Sequence, residues 1–313
     1  MLKIPQSPFQ STKLISLDQY FDELVKLFES DSLPKVLLLT GKKGLGKFTL
    51  IFHFLNYVYS KNEKTPYNVE DKLINTNSKF YNSILDKTCP DVIFLQALEG
   101  KNIKIDDIRN LKSVLSRSSL SKNPRFVIID EVEFLNINSI NALLKTLEEP
   151  RDNNYFILIN NQQADLIETV SSRCLKNNIY LSSKKQKKII DYFIKDNKID
   201  IQIDSQVNLT PGVLLKYNEL HNRYKLNNEE NILAKINKLL HAYKKDKDKI
   251  KINMSVFLID HFFYLLVQKN INKIDILINL KSSIINKIND FLIYNLNISS
   301  VLKSIELELK NVR

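Results

Sequence analysis

The sequence predicts an α/β protein that begins with a parallel sheet covered by helices on both faces and ends in an all-helical part. Short apolar runs alternate with helical patterns through residue 181, which is typical of a three-layer parallel sheet. A loop of the form G-x-x-x-x-G-K, Gly41 to Lys47, separates the first apolar run from the helix that follows it. Beyond Ser182 the strand pattern ceases and helical patterns follow one another.

The opening elements are predicted to be a helix, a strand and a second helix. Apolar residues at helical spacing precede Pro34 and indicate the leading helix. The continuous apolar run from Val36 to Thr40 favours a strand buried on both faces. Apolar positions from 51 to 58 indicate the helix after the loop, whereas the asparagine-rich segment 61–88 is predicted to be loop with one helix.

The loop is a candidate phosphate-binding site. Its glycines would let successive backbone N–H groups turn toward phosphate oxygens, beside the positive end of a helix. Lys47 would reach the β- and γ-phosphates. The next position normally carries the Ser or Thr that binds magnesium, but here it is Phe48, and Thr49 points about 100° away along the helix. The three glycines concerned are Gly41, Gly44 and Gly46.

Two further strands are predicted in the middle of the sheet. Val92 to Leu95 forms one, and a helix follows from Ile105 with Asp106 as its expected N-cap. The second covers 126–129 and ends in Asp130-Glu131. Carboxylates at the carboxyl edge of a parallel sheet can hold a metal-bound water, although a solvated strand end is the alternative on these two residues alone.

The last part of the predicted sheet contains a candidate functional arginine, Arg173. A helix ends before Pro150, the next strand covers 155–159, and a short final strand is predicted at 179–181. Between those strands lies Arg173, within Ser-Ser-Arg-Cys. Such an arginine either pairs with a neighbouring acid, as surface arginines usually do, or is offered to a phosphate of a partner.

The charge of the chain favours contact with polyanions such as nucleic acid. Its 313 residues carry a formal charge of +11, and 43% are hydrophobic, enough for a core in each of two or three domains. The alternative is that the basicity follows general residue usage, because Lys, Asn and Ile are abundant throughout. Only Lys184–Lys188 and Lys244–Lys251 are dense in lysine, and either run could be a solvated helix face.

Several classes of protein are not favoured. The longest apolar run, Val256 to Val267, is interrupted by Asp260 and His261 and is shorter than the ~20 residues of a membrane span. The first ten residues lack the features of a signal peptide, so a cytoplasmic protein is expected. Two cysteines cannot build a disulfide framework or a four-cysteine zinc site, and the four histidines show no metal-ligand spacing.

Five stretches carry a resemblance to a known family: LPKVLLLTGKKGLGKFTL, CPDVIFL, IKIDDIRNLKSVL, NALLKTLEEP and the Ser172-Arg173-Cys174 motif. Together they resemble the clamp-loader subunits of the AAA+ class, and among these the delta prime subunits of bacterial DNA polymerase III. The resemblance covers roughly the first 220 residues well and the helical remainder in outline.

The resemblance implies an AAA+ base domain over 1–181, a small helical lid over 182–227 and a C-terminal helical collar over 228–313. It implies a five-subunit complex with delta and gamma/tau subunits that places a sliding clamp on primed DNA, as part of the DNA polymerase III holoenzyme. Arg173 would then be an arginine finger that acts on a neighbouring subunit. The zinc-binding cysteine cluster of many relatives is missing, so no zinc is expected and only Cys89 lies nearby.

Two departures from the family pattern indicate a subunit that does not hydrolyse ATP. Phe48 replaces a magnesium ligand, and within Asn208 to Leu215 the lid arginine position carries Val213. Weak binding of ATP and magnesium stays open. The alternative is a gamma/tau-type motor subunit, which the intact pair Asp130-Glu131 favours. A third class, a P-loop enzyme unrelated to replication, would leave NALLKTLEEP and Ser-Ser-Arg-Cys unexplained except by coincidence.

Overall fold

A computed structural model describes residues 8–96, 103–116, 123–195, 209–227, 229–269 and 273–310. The chain divides into two compact units. The first comprises Met1–Asp200 and Leu209–Leu215, and the second comprises Ile201–Asn208 and Lys216–Arg313. The division into three domains stays a prediction, and its expected boundary residue Asn228 lies outside the described residues.

The first unit is built around five strands. In chain order its strands and helices are α1 Asp18–Glu29, β1 Val36–Thr40, α2 Lys47–Ser60, α3 Lys79–Leu85, β2 Val92–Gln96, α4 Ile105–Ser116, β3 Arg125–Asp130, α5 Ile137–Glu148, β4 Asn154–Asn160, α6 Glu168–Ser171, β5 Leu175–Asn178, α7 Ser183–Lys195 and the start of α8 Pro211–Arg223. All strand pairs are parallel, in the order β2-β3-β4-β1-β5. The predicted parallel sheet is therefore confirmed.

Helices cover both faces of this sheet because successive strand residues point to opposite sides. In β1, Leu37 and Leu39 join a core with residues of α1, α2 and α3. The alternate residues Val36 and Leu38 join a second core with residues of α4 and α5. Both cores consist of apolar side chains, so burial on each face stabilises the sheet and fixes its register.

Two details of the sequence prediction are wrong. The fifth strand is Leu175–Asn178, whereas the predicted residues 179–181 follow it. Strand β5 pairs with β1 and has largely exposed side chains, so it lacks the apolar run by which buried strands are recognised. Asp106 is not the N-cap of α4 but lies in its first turn, and it is Asp107 that accepts a hydrogen bond from the Lys104 N–H at 2.9 Å.

The described helices of the second unit include α9 Ile232–Asp246, α10 Ile250–Lys269, α11 Ile274–Tyr294 and α12 Ile298–Lys310. Their apolar sides form one core, in which Ile236, Ile259, Ile288 and Ile305 are almost fully buried. The all-helical C-terminal part is confirmed by these elements.

Helix α10 is longer than the apolar run that predicted it. Over Ile250–Gln268 its mean hydropathy is 1.5, and by length and composition alone this segment could cross a membrane. The residues before Val256 extend the helix by more than a turn. The side chains of Ile252, Ile259 and Phe263 are buried in the core of the helical unit, which is an ordinary reason for an apolar helix.

Candidate functional site

The predicted phosphate loop and acidic pair meet at the carboxyl edge of the sheet. Strand β1 ends at Thr40, which is in register with Asn160 at the end of β4. On the other side of β4, Asp130 at the end of β3 is in register with Ile159. Parallel strands bring their carboxyl ends to one edge, so the loop after β1 and the acids after β3 become neighbours.

The loop has the glycine geometry that its sequence predicts. Gly44 and Gly46 have φ values of 82° and 87°, in the left-handed region that favours glycine. Lys47 begins α2, and its side chain is directed back into the loop rather than toward solvent. Its ammonium donates hydrogen bonds to the carbonyl oxygens of Gly41, at 2.6 Å, and Lys42, at 2.9 Å. Burial lowers the pKa of Lys47 to about 8.

The beginning of α8 closes this loop. The Gly212 N–H donates to the Gly44 carbonyl at 2.9 Å, and the Thr210 hydroxyl donates to the Lys43 carbonyl at 2.6 Å. The backbones approach so closely that a Cβ on Gly44 would lie 2.4 Å from Thr210 Oγ1 and 2.7 Å from the Val213 nitrogen. We call these contacts of Lys43 and Gly44 with Thr210 and Gly212 the P-loop clasp. Asn208, which precedes this segment, lies outside the described residues.

Phe48 fills the magnesium-ligand position with an apolar ring. Its ring is edge-to-face with Phe9 at a centroid distance of 5.2 Å and tilted against Phe94 at 5.5 Å. Aromatic pairs at such distances stabilise a core beyond their buried area. The side chain therefore belongs to the core between α2 and the sheet and supplies no oxygen to a cation.

A magnesium nucleotide does not fit these residues as they stand. The Gly44 carbonyl accepts a hydrogen bond from α8 and the backbones there are in close contact, and the Lys47 ammonium is held by carbonyl oxygens of its own loop. No hydroxyl follows Lys47, because Phe48 lies in an aromatic cluster. Among the described residues, no group of three or more His, Cys, Asp and Glu side chains is placed to hold a metal ion.

Asp130 is hydrogen-bonded by protein groups. Its carboxylate accepts from the Asn161 side chain at 3.1 Å, the Gln96 side chain at 3.3 Å and the Glu131 N–H at 2.9 Å. Burial, and next the charge of Glu131, raise the pKa of Asp130 to about 6. The carboxylate thus fixes the ends of β2 and β4 against β3.

Glu131 and Glu133 are also engaged within the chain. Glu131 has a φ of 58° and forms an ion pair with Lys43 at 2.6 Å, so it binds the same loop that the clasp closes. Glu133 is buried and accepts from the Asn161 N–H at 3.0 Å. The acidic edge of the sheet therefore braces the P-loop and the end of β4.

Arg173 lies apart from these groups, two residues after α6. Its guanidinium donates to Glu148 Oε1, with a distance of 2.7 Å from Nε, and to the Thr169 carbonyl at 2.8 Å. The ion pair is partly exposed, with 31% of the Arg173 side chain and 45% of the Glu148 side chain accessible. Two interpretations of Arg173 are open from the sequence, a pair with a neighbouring acid and a contact with a partner's phosphate. In the described part of the chain Arg173 pairs with the acid Glu148, as the first interpretation predicts.

The resemblance marked Asn208 to Leu215 as a lid segment, but sequence reasoning did not identify the contacts of Thr210 and Gly212 that close the loop. Thr210 and Gly212 are more than 160 positions from the loop that they contact, and neither has a periodic pattern that indicates this partner. Gln96 and Asn161 carried a weaker signal. Each is polar and lies at or just after the carboxyl end of a buried strand, the edge where parallel sheets collect functional side chains.

A separate polar cavity of about 360 Å³ opens beside the P-loop. It is lined by Thr40, Asn160, Gln162, Gln163, Ala164, Asp165, Leu166 and Lys176. None of the residues from Gly41 to Lys47 lines it, so the cavity does not enlarge the phosphate site.

Comparisons with known proteins agree with this architecture. A DNA polymerase III subunit delta' from Haemophilus influenzae is 38% identical over 85 residues, which is 27% of this chain and 26% of that protein. A DNA polymerase III subunit gamma from Buchnera aphidicola is 29% identical over 164 residues, 52% of this chain and 43% of that protein. The matched segments span between 26% and 45% of the first three curated relatives, all of them delta' subunits.

The fold also matches a solved structure. A DNA polymerase III gamma subunit-related protein from Thermotoga maritima superposes with a TM-score of 0.53 at 20% identity, over 93% of this chain and 100% of that one. At this identity the similarity shows that the two chains share a fold. The family model described as "DNA polymerase III, delta subunit" matches residues 17–182, more than half of the sequence. This chain therefore belongs to the DNA polymerase III delta subunit family.

Proposed function

We propose that this chain is a clamp-loader subunit of the delta prime type, which assembles in the cytoplasm with delta and gamma/tau subunits into a five-subunit complex. The complex would load the sliding clamp onto primed DNA in the DNA polymerase III holoenzyme. Family membership and the delta' subunits among the relatives support this assignment.

The P-loop clasp is the observation that carries the chain's role in that complex. Nucleotide-driven motors need an open phosphate cradle, a lysine free to reach the phosphates and a hydroxyl for magnesium. Here α8 contacts Gly44, the Lys47 ammonium is bonded to its own loop, and Phe48 lies in a core. We therefore propose that this subunit does not hydrolyse ATP and serves as a fixed structural member.

A gamma/tau-type motor is the second candidate. The acidic pair at the end of β3 and the gamma subunit among the relatives favour it. Against it, Glu131 is paired with Lys43 and Asp130 accepts hydrogen bonds from Asn161 and Gln96. Both carboxylates therefore have structural partners within the chain.

Two measurements on the purified chain separate these candidates. A steady-state ATPase assay should give negligible turnover, and titration calorimetry with magnesium-ATP should detect weak binding at most. Turnover in the range of about 1–100 s⁻¹ typical of phosphoryl-transfer enzymes would favour the motor instead. In parallel, mixing the chain with delta and gamma/tau subunits should give one stable complex by size-exclusion chromatography, and failure to assemble would contradict the proposed role.

The exposed apolar side chains of the second, helical unit support the proposal that this unit contacts partner subunits. Several large apolar side chains are well exposed on α10, α11 and α12, including Ile276, Ile293, Tyr294 and Leu307 at 58% or more. Covering such side chains in a complex would remove apolar surface from water, which favours association. We propose that this unit is the collar, and that a chain ending before residue 228 loses its place in the complex.

We further propose that Arg173 acts on the nucleotide of a neighbouring subunit. To do so its guanidinium must leave Glu148, and an exposed ion pair of this kind stabilises a protein by only about 0–1 kcal/mol. A phosphate on the partner offers a stronger, bidentate site for the planar fork. The pair with Glu148 is then a resting position that holds the arginine in one rotamer before assembly.

Arg173→Ala in the assembled complex should lower ATP hydrolysis by the neighbouring subunit by about 10³-fold or more, since arginine fingers contribute about 10³–10⁵ in GTPases. Complex formation should persist. Arg109→Ala is the matched control, because it also removes an exposed arginine from an ion pair, here with Asp106 at 3.1 Å. It should leave the hydrolysis rate unchanged.

Glu148→Gln separates the trans role from a structural one. If Arg173 acts in trans, this substitution frees the guanidinium and keeps or raises the rate of the complex. If Arg173 only stabilises its own domain, Glu148→Gln and Arg173→Ala should lower the melting temperature alike. In that case neither change should alter hydrolysis.

A further inference from the structure

The chain has two dense lysine runs, and the structure separates them by their electrostatic surroundings. The second run, Lys244–Lys251, carries its own acids. Lys251 is buried and pairs with Asp246 at 2.7 Å and with Asp248 at 3.1 Å. Lys244 lies over the ring of Phe291, 5.7 Å from its centroid. This run is therefore partly neutralised and packed onto the helical unit.

In the first run, Lys184–Lys188, the lysines are close in sequence and all exposed to solvent. Four lysines within five residues occupy the first two turns of α7, and all four are exposed: Lys184, Lys185, Lys187 and Lys188. Across the part of the chain that the structure describes, none of them forms an ion pair, and the first turn of α7 holds no acid.

This arrangement opposes the stability of the helix. The N-terminus of a helix carries partial positive charge and favours acids, so lysines there are unfavourable. Lys184 and Lys188 are also four residues apart on one face, where like charges repel. A segment selected only as a solvated helix face would more often carry acids at these positions. The charge is therefore better explained by an anionic partner.

The surrounding chain nevertheless holds the lysines in a defined position. The Ser16 hydroxyl donates to the Lys185 carbonyl at 3.2 Å, and the Gln186 side chain donates to the Leu181 carbonyl at 2.8 Å. On the opposite side of α7, Ile189 and Ile190 are buried. The positive surface is thus presented by a helix that is packed onto the first unit.

An exposed aromatic residue, Tyr180, lies four positions before the first of these lysines. Tyr180 has 73% of its surface accessible, the largest exposed fraction among the exposed large hydrophobic residues in the described part of the chain. Its backbone is fixed by the Tyr20 hydroxyl, which donates to the Tyr180 carbonyl at 3.1 Å and accepts from its N–H at 3.0 Å. A rigid backbone that carries an exposed ring is an arrangement on which an unpaired base can stack.

We propose that Tyr180 and the four lysines, together the α7 lysine surface, bind a DNA strand with unpaired bases. The lysines would contact successive phosphates, and Tyr180 would stack on a base. Charge complementarity selects a polyanion, and the fixed aromatic ring selects one with exposed bases. This inference assigns DNA contact to the chain itself and does not depend on its nucleotide site or on its assembly with other subunits.

The test is fluorescence anisotropy of a labelled single-stranded DNA with the full chain over a range of salt concentrations. Changing all four lysines to Gln should weaken binding and make the salt dependence shallower by about 0.7 for each phosphate that a lysine no longer neutralises. Between about 50 and 200 mM salt, the wild-type affinity should then fall about 50-fold further than that of the variant. Circular dichroism should show both chains equally folded.

The matched control removes the same charge from the other run, as Lys244→Gln, Lys245→Gln, Lys247→Gln and Lys249→Gln together. It should keep the wild-type salt slope. Tyr180→Ala should weaken single-strand binding about 10-fold without changing that slope, and binding of the corresponding duplex should be unaffected.

Three results would overturn the proposal. If both four-lysine variants weakened DNA binding equally, the net charge of the chain rather than the α7 lysine surface would explain the binding. If the wild-type chain did not bind single-stranded DNA at about 50 mM salt, the proposed DNA-binding surface would be refuted. Binding to vesicles of anionic phospholipid, but not to DNA, would assign the surface to a membrane.

Discussion

The P-loop clasp makes a prediction that two glycines of one loop can test against each other. Gly44 and Gly46 have nearly equal positive φ values, 82° and 87°. A methyl group on Gly44 would meet Thr210 Oγ1 at 2.4 Å, whereas one on Gly46 would meet only the end of the Leu17 side chain at 3.0 Å. Gly44→Ala therefore strains the backbone and breaks the clasp, and Gly46→Ala only strains the backbone.

The expected magnitudes follow from these contacts. Placing alanine in the left-handed region costs about 1–2 kcal/mol in either variant. Moving α8 away from Gly44 also breaks the hydrogen bonds from Gly212 and Thr210. Each contributes about 0.5–1.5 kcal/mol. Gly44→Ala should thus lower the free energy of unfolding of the first unit by about 1–3 kcal/mol more than Gly46→Ala.

Hydrogen exchange measured by mass spectrometry over a urea series can report on the first unit alone. Peptides from β1 and β4 exchange only when the sheet unfolds, so they give the free energy of unfolding of that unit. The peptide that contains Gly212 reports local opening of the clasp, and its exchange should be about 5–150-fold faster in Gly44→Ala. Equal destabilisation by the two variants, with unchanged exchange at Gly212, would show that the clasp does not hold the loop.

Two more substitutions follow from the same edge of the sheet. Gly212→Ala should destabilise the chain, because the new Cβ would lie 2.9 Å from the Gly44 Cα. Helix propensity alone favours alanine by about 1 kcal/mol, so a rise in thermal stability would contradict this prediction. The folded pKa of Asp130, about 6, lies above the usual value of 3.8, so its contribution to stability is greatest below pH 4 and is lost as the pH rises to 6. Asp130→Asn should therefore gain about 2–3 kcal/mol relative to wild type between pH 4 and pH 6.5 in urea titrations, and parallel pH profiles would count against it.

The central strands could be predicted from sequence because burial on both faces leaves a continuous apolar run. The run from Val36 to Thr40 matches β1, and the runs before Gln96, Asp130 and Asn160 each gave a strand to within one or two residues. The P-loop glycines were predictable for a related reason, since their positive φ angles restrict the residue type.

The edge strand and the closure of the site could not be predicted in this way. β5 has mostly exposed side chains, and its pairing with β1 uses backbone groups, which leave no pattern in the sequence. The clasp depends on backbone atoms of Gly44 and Gly212, and its closeness follows from how α8 packs. Likewise, the pairing of Arg173 with Glu148 depends on how α5 and α6 lie, not on the spacing of the two residues.

Under the proposed non-hydrolysing role, the aromatic packing of Phe48 and the clasp together would oppose the return of a working nucleotide site during evolution. A serine at position 48 would leave a gap beside Phe9 and Phe94 while α8 still contacts Gly44. An arginine in place of Val213 would face a loop that is already closed. Under the proposed role, neither substitution alone would bring a new activity, and the serine would lower stability. Further adaptation of such a chain would then fall on its other surfaces.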